Sequence, residues 1–110
     1  MELGGNIVLS GFSGRDFTEV IVVKKMVGQY ARKFTDGIPG FSRLAVTFKE
    51  VHHHEGGHGK SEIIVKVNVD GHEFAAEVTE LNLYMALDAA LKRVFEQVQK
   101  HAEIHSNRNF

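Results

Sequence analysis

The sequence predicts a single α+β domain with the element order β-α-β-β-β-α, and three observations support this fold class. Two segments carry apolar residues at spacings of three and four, which is typical of amphipathic helices. Three segments between them alternate apolar and polar residues, as half-buried strands do. A length of 110 residues, 43% hydrophobic and 25% charged, suits one globular domain over residues 1–110, with a core at about 5–101.

The first part of the chain predicts a short strand at residues 6–11 and then a helix from residue 18 to about 35. Thr18 is a plausible N-cap, and Phe17 is expected to pack onto Val22 as a hydrophobic staple. We expect Gly37, in a left-handed cap, and the proline that follows at position 39 to end the helix. The predicted core-facing residues of this helix are Val20, Val23, Val27, Tyr30, Ala31 and Phe34.

Three strands follow, at residues 41 to about 52, 61–69 and 72–78. In the first of them Leu44, Val46 and Phe48 are expected to face the core. A glycine-rich loop over residues 53–60 separates it from the second. Asp70-Gly71 joins the second and third strands and is the favoured two-residue hairpin turn, because both of its residues need positive φ.

The last element is predicted as an amphipathic helix from about residue 81 to 101, with Asn82 or Thr79 as its cap. Residues 102–110 are expected to form a polar tail that frays. Because a strand, a helix and a strand imply a right-handed crossover between parallel neighbours, the prediction is a four-stranded mixed sheet with two helices packed on one face.

Composition excludes several classes of protein. The chain has no cysteine, which excludes disulfides, thiolate metal sites and thiol nucleophiles and fits a cytoplasmic location. The start of the sequence lacks the basic and apolar pattern of a secretory signal, and no apolar run is long enough to span a bilayer, so no membrane partner is expected. The formal net charge of −1 lacks the basic excess that is typical of nucleic-acid binders.

Several motifs that could carry chemistry have simpler interpretations. Residues 54–61 resemble a phosphate-binding loop, but His54 stands where glycine is required and a strand follows instead of a helix. Histidines between His52 and His58 could hold a metal ion, as could His101 with His105, although solvated histidines are the simpler interpretation in both places. No serine lies in a nucleophile elbow and no carboxylate pair is evident, so we predict that the protein is not an enzyme and has no catalytic residues. The leading interpretation also includes no cofactor, metal site or small-molecule substrate.

Basic residues on the two helices are the remaining signal. If the helices lie side by side, Lys33, Arg93 and Lys100 could line one ridge or groove that meets successive phosphates. The alternative is an ordinary solvated helix face. The basic residues that lie off the apolar stripes are Lys24, Lys25, Arg32, Lys33, Lys92, Arg93 and Lys100.

Two stretches carry a resemblance to a known family. They are residues 67–77, Val-Asn-Val-Asp-Gly-His-Glu-Phe-Ala-Ala-Glu, and the helix opening at residues 83–93, in which Leu83-Tyr84 and Ala86-Leu87-Asp88 hold the places of a Met-Tyr, Ala, Ile-Asp pattern. With the order of elements, they resemble the ribosome hibernation-promoting factors, also called ribosome-associated inhibitor A or sigma-modulation proteins. The resemblance covers residues 5–101 and is to the short form of the family.

The resemblance implies a fold like that of double-stranded-RNA-binding domains and a non-enzymatic inhibitor of translation under stress. Its partner would be the rRNA of the small ribosomal subunit, at the decoding region. Matching helix to helix puts RNA-binding cations of the family on Lys33, Arg93 and Lys100, with Lys92 and Arg32 as neighbours. Two positions depart, because Tyr30 and Glu96 stand where the family often has arginine.

Two other functions stay open at this point. One is a protein-interaction module of the same fold that does not bind rRNA, which the balanced charge would allow. The other is a metal-binding role of the loop from His52 to His58.

Overall fold

The elements of the chain follow the predicted order in the computed structural model, which describes residues 2–3, 6–51 and 59–107. One further strand comes first. The elements are β1 (Glu2–Leu3), β2 (Ile7–Ser10), α1 (Phe17–Gly37), β3 (Phe41–Val51), β4 (Lys60–Val69), β5 (His72–Glu80) and α2 (Leu83–Asn107).

The four predicted strands form a mixed sheet, which confirms the α+β fold, and the two-residue β1 extends it at one side. The spatial order is β1-β2-β3-β4-β5. β2 pairs in parallel with β3, with Ile7 beside Leu44, and the other neighbours are antiparallel. Asp70 and Gly71 have φ values of 50° and 80°, as the predicted hairpin turn between β4 and β5 requires.

The start of α1 differs from the prediction. The N-cap is Asp16, whose carboxylate accepts a hydrogen bond from the backbone N–H of Thr18 at 3.3 Å. Thr18 itself lies inside the helix. Phe17 is 77% exposed, so the expected staple onto Val22 does not form. The prediction of Thr18 was therefore wrong, because aspartate is as favourable an N-cap as threonine and Asp16 stands two positions earlier.

The end of α1 also differs. Gly37 is the last helical residue and is not in the left-handed region, and the cap is Ile38, whose N–H donates to the carbonyl of Phe34 at 2.9 Å. The left-handed glycine of this turn is Gly40, with φ 86°. Its carbonyl accepts a hydrogen bond from the N–H of Asp70 at 3.0 Å, which ties the start of β3 to the β4–β5 turn.

Asn82 is the N-cap of α2, which confirms one of the two predicted alternatives. Its side-chain oxygen accepts hydrogen bonds from the backbone N–H groups of Tyr84 at 2.8 Å and Met85 at 3.1 Å. The other alternative, Thr79, lies in β5. The helix continues to Asn107, past the predicted end at residue 101. No proline or glycine interrupts this stretch, and alanine and glutamate favour helix.

We expect Asn82→Ala to lower the free energy of unfolding by about 1 kcal/mol, because two N–H groups at the start of α2 lose their acceptor. Urea denaturation followed by circular dichroism measures this change. Asn82→Asp is the matched control, since it keeps an acceptor in the same place and should retain nearly all of the stability. Equal stability of the alanine and wild-type proteins would show that the cap contributes nothing.

The core lies between the sheet and the two helices. Phe34 of α1, Leu44 of β3 and Leu91 of α2 are fully buried in it. The predicted inward positions of β3 are confirmed as buried, and α2 packs on β4 and β5 while α1 packs on β3. Within the described residues, neither helix combines the length and hydropathy that a membrane span requires.

Candidate functional site

The two helices meet along an aromatic seam formed by Tyr30, Phe34 and Phe95. The ring of Phe95 in α2 lies 6.1 Å from that of Tyr30 and 5.0 Å from that of Phe34, both edge to face. Phe34 also stacks on Phe41 of β3 at 5.2 Å. Edge-to-face pairs of this kind stabilise a fixed contact, so the seam sets the relative position of α1 and α2.

Lys33 lies beside this seam. Its ammonium Nζ is 4.7 Å from the ring centre of Tyr30 and 6.0 Å from that of Phe95. Such cation–π contacts restrain an otherwise flexible side chain while the residue as a whole stays exposed. The charge of Lys33 is therefore held beside the aromatic seam, next to the half-buried Tyr30.

Arg93 and Lys100 lie together on α2. With Glu96 and Gln97 they line one shallow surface depression. Both cations are exposed, and their spacing of two helical turns puts them on nearly the same face. The structure therefore brings these two predicted residues together.

Lys33 does not join them in one line. Successive residues of a helix are rotated by about 100°, so Arg93 and Lys100 point about 160° and about 140° away from Phe95, which marks the side facing α1. Lys33 borders that side, and the two α2 cations lie on the opposite flank. The outward face of α2 therefore separates Lys33 from Arg93 and Lys100, and the three residues do not form the single ridge suggested by the sequence.

Arg32 of α1 and Lys92 of α2 lie on the outward surfaces of their own helices. Arg32 is two residues from the buried Phe34 and so points away from the sheet, and Lys92 is rotated by about 60° from Phe95 toward solvent. Both are exposed. The five predicted cations thus cover the outer surface of the helical layer and its flank, and we call this set the helical cations.

Acidic groups lie among the helical cations. Glu96 lines the depression with Arg93 and Lys100. The pKa of Tyr30 is raised, first by burial of its hydroxyl and then by the negative charges of Asp88 and Glu96. Neither carboxylate forms an ion pair with a residue that the structure describes. The potential over this surface is therefore less positive than the cations alone would make it.

Only part of the predicted histidine sites lies among the described residues. Residues 52–58 and the side chain of His105 lie outside the described residues. His101 packs on His72 at 5.5 Å and on Phe74 at 5.1 Å between ring centres, a contact across α2 and β5 that sequence reasoning missed. In the part of the chain that is described, no three metal-ligating side chains come together.

Comparisons with known proteins agree with this fold. The chain matches a solved structure of the N-terminal domain of Thermus thermophilus Protein Y, with a TM-score of 0.56, 17% identity and coverage of 86% of this chain and 94% of that one. It also matches a ribosomal subunit interface protein from Coxiella burnetii, with a TM-score of 0.61, 14% identity and coverage of 89% and 98%. No curated protein matches the chain.

At these identities the two solved structures show a shared fold and no more. The family is shown by a match to a sequence model. The sequence model described as Sigma 54 modulation protein / S30EA ribosomal protein matches residues 9–106, which is most of the chain. This confirms the resemblance seen in residues 67–77 and 83–93. The protein belongs to the Sigma 54 modulation protein / S30EA ribosomal protein family of ribosome-associated hibernation factors.

Proposed function

We propose that the protein is a non-enzymatic hibernation factor that binds rRNA of the small ribosomal subunit at the decoding region and so inhibits translation. Membership of a ribosome-associated family over residues 9–106 is the observation that carries this proposal. The helical cations support it from the chemistry, because exposed lysines and arginines are the side chains that contact phosphates. A protein with this role acts in the cytoplasm.

In this proposal the two helices supply different contacts. Lys33, restrained on Tyr30 and Phe95, offers an ammonium whose position is largely set before binding, so little side-chain entropy is lost. Arg93 can donate two parallel hydrogen bonds to one phosphate, and Lys100 meets another phosphate as a point charge. Shape supplies the rest, since duplex RNA is read largely through its backbone.

Sedimentation with purified small subunits tests the proposal. The protein should co-sediment at about 50 mM salt and be released progressively up to about 200 mM, because phosphate contacts weaken steeply over this range. A protein that fails to co-sediment at low salt would contradict the proposal. Competition with messenger and transfer RNA on the same subunits would then locate the binding at the decoding region.

Glu96→Gln is expected to tighten binding to the small subunit several-fold at low salt. The carboxylate shares a depression with Arg93 and Lys100, so its removal relieves repulsion of the incoming phosphates. The slope of log K against log salt should stay nearly the same, since glutamine adds no cation, whereas Glu96→Arg should steepen it by about one. Salt-titrated sedimentation or fluorescence anisotropy measures both quantities.

The matched control is Glu77→Gln, which removes an exposed carboxylate from the sheet face that the helices leave open. It should leave the affinity unchanged to within about twofold. If Glu77→Gln tightens binding as much as Glu96→Gln, the effect comes from net charge rather than from this helical surface.

A second function is favoured by one observation, the carboxylates of Asp88 and Glu96 beside the helical cations. They would suit a protein-interaction module of the same fold that has lost rRNA binding. Under this alternative, the protein should still bind a purified mixture of ribosomal proteins from which all rRNA has been removed. Under the first proposal, this binding should disappear.

A further inference from the structure

One edge of the sheet is long and has no partner among the described strands. β5 is the last strand in the spatial order and no described strand pairs with its outer side. At the other edge, β2 is short and β1 covers part of it. Long open edges are templates for strand addition, so β5 is the part of this sheet where another chain can be received.

The register shows which groups β5 offers. Val69 pairs with His72 across the two-residue turn, so His72 and every second residue after it bond to β4. The intervening residues direct both N–H and C=O to the open side. They are Glu73, Ala75, Glu77 and Thr79, and all four are exposed.

The side chains of these four residues add a charge pattern. Glu73 and Glu77 lie on the open face of the sheet, four residues and about 13 Å apart, with the small Ala75 between them. Neither forms an ion pair with a described residue. Lys66 and Arg43 lie one and two strands further in, so a strand added to β5 meets the two carboxylates first.

We propose that the β5 edge binds an extended basic peptide segment, which adds to the sheet as a further strand. Cations four positions apart face Glu73 and Glu77, and a larger side chain midway fills the space above Ala75. A second copy of the chain is disfavoured as the occupant, because pairing two β5 edges would bring four such carboxylates together. This surface is separate from the helical cations, and the proposal stands whether or not those bind rRNA.

Hydrogen exchange measured by NMR tests the proposal on the intact chain. The probe is a nine-residue peptide of alternating valine and threonine that carries two lysines four positions apart, matched to the nine residues of β5. At a peptide concentration ten times its Kd, exchange of the amides of Glu73, Ala75, Glu77 and Thr79 should slow by about tenfold. The amides that already bond to β4 should change little.

Two variants separate backbone pairing from charge attraction. Ala75→Pro removes one outward N–H without breaking a bond to β4, so the fold should persist and peptide binding should fall at least tenfold. The double variant Glu73→Lys/Glu77→Lys should reverse the preference, favouring a peptide with glutamates in place of the lysines. The proposal would be overturned if these amides gain no protection, or if Ala75→Pro binds the peptide as well as the wild-type protein does. It would also be overturned if an RNA oligonucleotide confers equal protection, or if a dimer forms through β5.

Discussion

Replacing Lys33, Arg93 and Lys100 together with alanine is expected to remove most of the salt-dependent binding to the small subunit. Each phosphate contact contributes about 0.9 to the slope of log K against log salt, so the slope should fall by about three. At about 0.1 M salt this corresponds to a loss of affinity on the order of a hundredfold. All three side chains are exposed, so the free energy of unfolding should change by less than about 1 kcal/mol.

The matched control is the triple variant Arg43→Ala/Lys49→Ala/Lys66→Ala. It removes the same charge from exposed residues on the opposite face of the sheet. Its salt slope should equal that of the wild-type protein if the helical surface makes the contacts. If the sheet variant loses more affinity than the helical variant, RNA is bound on the other side of the molecule and the assignment of Lys33, Arg93 and Lys100 is wrong.

Phe34→Ala is expected to lower the free energy of unfolding by about 3 to 5 kcal/mol, a large fraction of the stability of a small domain. Phe34 is fully buried, and its ring contacts both Phe41 of β3 and Phe95 of α2. Its removal opens a cavity where the sheet and both helices meet. Urea denaturation measured by fluorescence or circular dichroism gives the change.

Phe17→Ala is the control for this experiment, because Phe17 is the same residue type on the same helix but is mostly exposed. It should change stability by less than about 0.5 kcal/mol. Similar losses for the two variants would mean that the intrinsic preference of α1 for helix, rather than packing at the seam, determines stability.

The strands could be predicted because their signal is local. Alternation places Leu44, Val46 and Phe48 on one face whatever the rest of the chain does, and Asp70-Gly71 specifies its own turn. The helix ends were harder. Asp16 and Thr18 are both good caps, and the choice between them depends on how the Gly-Phe-Ser-Gly segment leads the chain into α1.

The candidate site could be predicted only as a set of residues. Sequence spacing puts Arg93 and Lys100 on one face of α2, and the structure agrees. The relation of Lys33 to them depends on the rotation of α2 about its own axis, which the contacts of Phe95 with Tyr30 and Phe34 determine. The residue pattern of a single helix does not specify this rotation angle. The aromatic residues at positions 30, 34 and 95 were the available signal for the seam.

The parallel pairing of β2 with β3 has a consequence for the order of folding. Val69 meets His72 by closing a two-residue turn, whereas Ile7 meets Leu44 only after the chain has looped back through all of α1. The longer loop costs about 2 kcal/mol more entropy to close, and contacts of this kind form late. We therefore expect the antiparallel meander to form before β2 docks on β3, and a ribosome that is still synthesising the chain must extrude β3, β4 and β5 before that meander is complete.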